Sequence, residues 1–86
     1  MPRRVHPLSR EDLVESELDL RGVRCPLNWA HAKVRLENLH PGDSLTPVLD
    51  DPKGVRDIPR AVEAEGYVAG DPVAADKGVW RLTIWV

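Results

Sequence analysis

The stretch Leu18-Asp19-Leu20-Arg21-Gly22-Val23-Arg24-Cys25-Pro26 decides how this chain is read. From Glu17 to Leu20 polar and apolar residues alternate, as they do in a half-buried strand, and Gly22 breaks that pattern. Pro26 then opens a helix, because its fixed φ and missing N–H suit the first helical position. Cys25, the only cysteine among 86 residues, is therefore expected at a helix N-terminus. The unpaired N–H groups of a first helical turn carry partial positive charge and favour a thiolate, and Arg21 and Arg24 add two full charges nearby. This pattern makes Cys25 a candidate nucleophile. The alternative is a small buried apolar residue.

Working outward, a first helix is predicted from Pro26 to about Leu39. Trp29, Ala32, Leu36 and Leu39 recur at helical spacing and are expected to face the core, with Arg35, Glu37 and Asn38 in water. Leu27, Ala30 and Val34 form a second stripe, which is either the edge of a wide buried face or an exposed apolar patch beside the thiol that docks a partner. Pro41-Gly42-Asp43 is turn chemistry, and Ser44 to Asp50 reads as a second strand, in which Pro47 predicts an irregularity because it cannot donate to a ladder. A strand, helix, strand order implies a crossover between parallel strands. Asp51-Pro52 starts a second helical region carrying Val55, Ile58 and Val62. Pro59 demands a late start near Asp57 or a kink, and Gly66 ends the helix. Tyr67 to Ala74 and Val79 to Val86 flank a Gly78-containing turn and are expected to form a hairpin, with Trp80, Leu82, Ile84 and Val86 on one face. The predicted fold is α+β: a two-layer sandwich in the order βαβαββ, with a four-stranded mixed sheet, two helices on one face and the other face open. Residues 1 to 15, broken by Pro2 and Pro7, are expected to form a flexible arm before a domain spanning 16–86.

Composition narrows the chemistry. One cysteine forms neither an internal disulfide nor a multi-thiolate zinc site, and a free thiol fits a reducing cytoplasm. His6, His31 and His40 are too scattered to make a metal centre, so neither metal nor cofactor is expected. Twelve basic and 14 acidic side chains give a net charge of -2, which argues against a domain built for specific nucleic-acid binding. No apolar run approaches the length of a membrane span. Without a resolving cysteine, Cys25 cannot complete an intramolecular dithiol cycle. Asp51 before Pro52 reads as a helix N-cap rather than as half of an acid–base pair with Asp50, since adjacent residues at a strand end point apart. Arg56 and Asp57 read equally well as a helix-surface ion pair or as residues that shape the surface near the thiol, with no catalytic role. Trp29 and Trp80 read as core and sheet-face residues, with Trp85 on the opposite face as the one aromatic available for contact.

The Leu18 to Pro26 stretch, together with Asp50-Asp51-Pro52 and Arg56-Asp57-Ile58-Pro59, resembles the TusA/SirA-type small sulfur carriers over roughly residues 17 to 86. The resemblance implies a fold similar to the C-terminal domain of bacterial translation initiation factor three, and a persulfide carried on Cys25. The family's helix opens with Cys-Pro-x-Pro, whereas this chain reads Cys25-Pro26-Leu27-Asn28. Asn28 is expected to turn its amide back toward the Cys25 backbone or sulfur, as a capping-box residue does, the alternative being a first-turn residue with no contact to sulfur. The expected function is thus a cytoplasmic sulfur carrier. Cys25 would take sulfur from a cysteine desulfurase, a rhodanese-like protein or a sulfane-sulfur species and pass it to an acceptor protein, for tRNA thiolation or another sulfur pathway. Pro26, Asn28, Arg24 and Arg21 are expected to support the thiol, and Leu27, Ala30 and Val34 to bind the partner. The rival reading is a non-catalytic interaction module of the same fold.

Overall fold

In the computed structural model, which describes residues 14–86, β1 (Glu15–Asp19) and β2 (Ser44–Leu49) run parallel on either side of α1 (Leu27–Glu37). This is the arrangement that a helical crossover between two strands requires. The expected arm over residues 1–15 lies almost wholly outside the described residues, and its last member, Glu15, already pairs with Ser44 in β1. The buried carboxylate of Asp43 accepts the N–H groups of Val14 at 2.9 Å and His40 at 2.8 Å, tying the start of β1 to the turn after α1.

The second helix, α2 (Pro52–Ala64), is followed by β3 (Val68–Ala69), β4 (Val73–Asp76), β5 (Val79–Arg81) and β6 (Ile84–Trp85). The sheet therefore has six short segments where four strands were expected, and the backbone chemistry explains the difference. β5 and β6 both pair antiparallel with β2, through Val48 with Arg81, Leu49 with Trp80, Ser44 with Trp85 and Leu45 with Ile84, in one continuous register. The gap falls opposite Thr46 and Pro47, and Pro47 has no N–H to give the ladder. Leu82 N–H still reaches the Pro47 carbonyl at 3.1 Å, and the hydroxyls of Thr46 and Thr83 meet at 3.1 Å across the break. On the outer strand, Gly70-Asp71-Pro72 separates β3 from β4, which pair with β6 and β5 respectively. Two of the four expected strands are thus each divided in two.

Both helices bury a row at i, i+4, i+8: Asn28, Ala32 and Leu36 from α1, and Gly54, Ile58 and Val62 from α2. The apolar members of these rows join Leu20, Leu45, Leu49, Leu82 and Ile84 in one core cluster, with Trp29 and Leu39 packed against it. α1 begins at Leu27, one residue later than expected, with Pro26 in the N-cap position after a cis Cys25–Pro26 bond. α2 runs unbroken through Pro59. Proline there removes only one backbone donor, and burial of Ile58 and Val62 on the same face holds the flanking turns. Gly66, at φ +91, provides the left-handed residue that ends the helix region. Trp80 is half-buried, while Trp85 lies on the other sheet face and is 44% exposed. Truncating Leu45, fully buried at the centre of the sheet, is expected to lower the unfolding free energy by about 2–5 kcal/mol, measured by urea denaturation of Leu45→Ala.

Candidate functional site

Two adjacent carboxylates at the β2–α2 junction clamp the loop that carries the thiol. Asp50 Oδ1 accepts the Gly22 N–H at 2.9 Å, and Asp51 Oδ2 accepts the Cys25 N–H at 2.8 Å. With its other oxygen Asp51 caps α2, accepting the Lys53 N–H at 3.1 Å from an extended conformation. The expected N-cap is therefore present and also reaches across the fold to the cysteine. The Cys25 N–H is the first cause holding the Asp51 carboxyl below its ordinary range, with the Lys53 N–H and the charges of Arg24 and Lys53 acting in the same direction against the cost of burial.

Inside the loop, Val23 N–H returns to the Leu20 carbonyl at 3.0 Å and Asn28 N–H reaches the Arg24 carbonyl at 3.1 Å, so helical hydrogen bonding starts at the residue before Cys25. Cys25 is partly exposed. Gly22, Arg24, Asp50, Asp51 and Pro52 line a shallow depression of about 240 Å³ flanking it. Among the described residues, no cluster of three or more His, Cys, Asp and Glu side chains is placed to hold a metal ion.

The arginines divide their work differently from the sequence expectation. Arg21 is committed to Asp19 by two parallel bonds, Nε to Oδ1 at 2.9 Å and Nη2 to Oδ2 at 2.8 Å. That guanidinium pulls the Asp19 carboxyl down to about 2. Its charge is thus balanced at the end of β1. Arg24 is exposed and acts on Asp51. On α2, Arg56 donates its Nε to Asp57 Oδ1 at 3.0 Å, the first cause holding its guanidinium above its ordinary range, with the charge of Cys25 the least of the contributions. Both expected readings of Arg56 and Asp57, the ion pair and a place on the surface near the thiol, are compatible with this arrangement. The available signal was their place in the second motif, Arg56-Asp57-Ile58-Pro59.

Of the two placements expected for Asn28, the structure has the one without a hydrogen bond to sulfur. The Asn28 side chain does not turn back toward Cys25, whose N–H is taken by Asp51. It is fully buried, with Oδ1 accepting the Trp29 N–H at 2.7 Å and Nδ2 without a hydrogen-bond partner. A buried unsatisfied donor costs about 1–3 kcal/mol, so Nδ2 of Asn28 weighs against stability where it stands. The stripe beside the thiol settles as a surface: Leu27 is 62% and Val34 58% exposed, and Ala30 between them is exposed too.

The chain matches the family model described as "Sulfurtransferase TusA" over residues 16–86. It belongs to the TusA family. A "Putative sulfur carrier protein" of Archaeoglobus fulgidus is 39% identical over 76 residues, covering 88% of this chain and 86% of that one. A protein of Thermotoga maritima with the same description is 30% identical over 73 residues, covering 85% and 92%. The crystal structure of a SirA-like protein from Desulfitobacterium hafniense superposes with a TM-score of 0.73 at 25% identity, covering 83% of this chain and 96% of that one. This TusA-family chain is accordingly a sulfur carrier by family, with a fold shared by the SirA-like structure.

Asp51 is depressed in the folded state, so its contribution to stability is fully present above the unfolded aspartate value of about 3.9 and is lost as pH falls through the lower folded value. Asp51→Ala is expected to lower Tm at neutral pH. In thermal melts from pH 7 to pH 2, the gap between this variant and wild type is expected to close only below pH ~4.

Proposed function

We propose that this protein relays sulfur as a persulfide on Cys25, in a reducing cytoplasm, between a donor and an acceptor protein. The observation that carries this reading is a partly exposed thiol whose backbone is fixed by Asp51 at the start of α1. The Cys25 thiolate attacks the outer sulfur of a donor persulfide. The Sγ–S bond forms as the donor S–S bond breaks, and the donor departs as a thiolate, so no outside oxidant or reductant is needed. An acceptor thiolate then attacks the same outer sulfur and returns Cys25 to its starting state. Arg56 and the α1 N-terminus stabilise the anionic outer sulfur, and Pro26 sets the thiol at the mouth of that helix. Arg24, exposed on the loop, is available for docking. A cysteine desulfurase or a rhodanese-like protein is a suitable donor, and tRNA thiolation or another sulfur pathway the consumer.

The exposed stripe of Leu27, Ala30 and Val34 adjoins Cys25 along α1 and gives a partner protein an apolar surface to rest on while the two sulfurs meet. This observation fits a relay as well as it fits a plain interaction module, and the retained thiol favours the relay. Incubation with a cysteine desulfurase and cysteine, followed by intact-mass spectrometry, is expected to show a gain of one sulfur atom that reductant removes and that Cys25→Ser abolishes. Absence of the adduct with protein and small-molecule sulfane donors alike would overturn the relay. Leu27→Ser and Val34→Asp are expected to slow loading from the desulfurase by roughly tenfold, as loss of about 1.4 kcal/mol of docking energy would, while loading from inorganic polysulfide stays at the wild-type rate.

A further inference from the structure

The buried rows of α1 and α2 begin at residues that face each other, Asn28 and Gly54. A Cβ added at Gly54 would overlap Asn28 Nδ2 and lie 3.4 Å from Asn28 Cγ and 3.5 Å from Ile58 Cδ1. The asparagine cannot easily move aside, because Trp29 N–H demands an acceptor and so fixes Oδ1, which leaves Nδ2 pointing at α2. Gly54 is the third residue of α2, where glycine is a poorer helix former than alanine. Its φ is not in the left-handed region, so backbone conformation does not require it. What requires it is the close approach of the asparagine.

From this fit we infer that Asn28 and Gly54 are a matched positioning pair that sets how closely the first turns of α1 and α2 approach, and thereby where Cys25 stands relative to Asp51 and Arg56. Asn28 lies three residues after Cys25. Gly54 lies three after Asp51 and two before Arg56. A shift between these two turns therefore moves the thiol against both the carboxylate that holds its backbone and the cation that acts on it. The functional meaning of the pair rests on the persulfide reading above; the pairing itself does not.

The test compares wild type, Asn28→Ala, Gly54→Ala and the double variant. Thermal melts are combined with the rate of Cys25 alkylation by iodoacetamide and of sulfur loading from inorganic polysulfide, both well below Tm. Gly54→Ala alone is expected to lower Tm and to change the alkylation and loading rates several-fold. On the Asn28→Ala background, the same change is expected to leave Tm level or raise it, because alanine fills the vacated space, and to leave the rates where Asn28→Ala put them. If Gly54→Ala alone fails to fold, recovery of folding in the double variant supports the pair, and failure of both overturns it. Equal effects of Gly54→Ala in the two backgrounds would show that the residues act independently and would overturn the inference. Coupling in Tm with alkylation and loading rates identical across all four proteins would reduce the pair to packing and overturn the positioning role. Coupled alkylation rates in a protein that takes up no sulfur would sustain the pair and reject the persulfide reading instead.

Discussion

The site depends on one contact between distant parts of the chain, the hydrogen bond from the Cys25 N–H to the Asp51 carboxylate. A thiol on a loop between a strand and a helix has no fixed position of its own. Here the carboxylate that caps α2 also takes the orphan donor just before α1, so the starts of the two helices are joined through a single side chain. Asp50 repeats the device at Gly22. The loop is held at both ends from the same junction, which is itself anchored by burial of Leu49 in the core.

This construction lets a small domain keep a free thiol in a fixed, partly exposed place. A chain of this size buries too little surface to enclose a site, and the relay proposed for it has no use for enclosure. What it needs is a thiol in a defined place, anion-favouring groups around it and a surface for a partner. Asp51 supplies the first. Arg56 and the α1 N-terminus are the groups proposed for the second, while Arg21, which looked equivalent in sequence, is paired with Asp19. The exposed face of α1 supplies the third.

Features set by neighbouring residues were legible in the sequence. The break at Gly22, the cap at Asp51, the end of α2 at Gly66 and the interruption at Pro47 all follow from backbone chemistry within a few positions. Features that depend on residues far apart in the chain were not. The second oxygen of Asp51 finds its partner 26 residues away, and the inward turn of Asn28 is intelligible only once Gly54 is seen opposite it. Near a helix N-terminus a side chain can turn back to cap or inward to pack, and the sequence of the turn does not say which. The fate of the Leu27, Ala30 and Val34 stripe was undecided for a similar reason. Its exposure depends on how α1 seats on the rest of the fold, a tertiary quantity absent from helical periodicity.

The most direct test of this account is an NMR pH titration that follows the Asp51 carboxyl carbon and the Cys25 backbone amide together. Both resonances are expected to trace one transition, centred below the ordinary aspartate value of about 3.9, because protonating Asp51 weakens the bond that holds Cys25. An Asp51 carboxyl that titrates at or above that value, with the Cys25 amide unmoved, would contradict it.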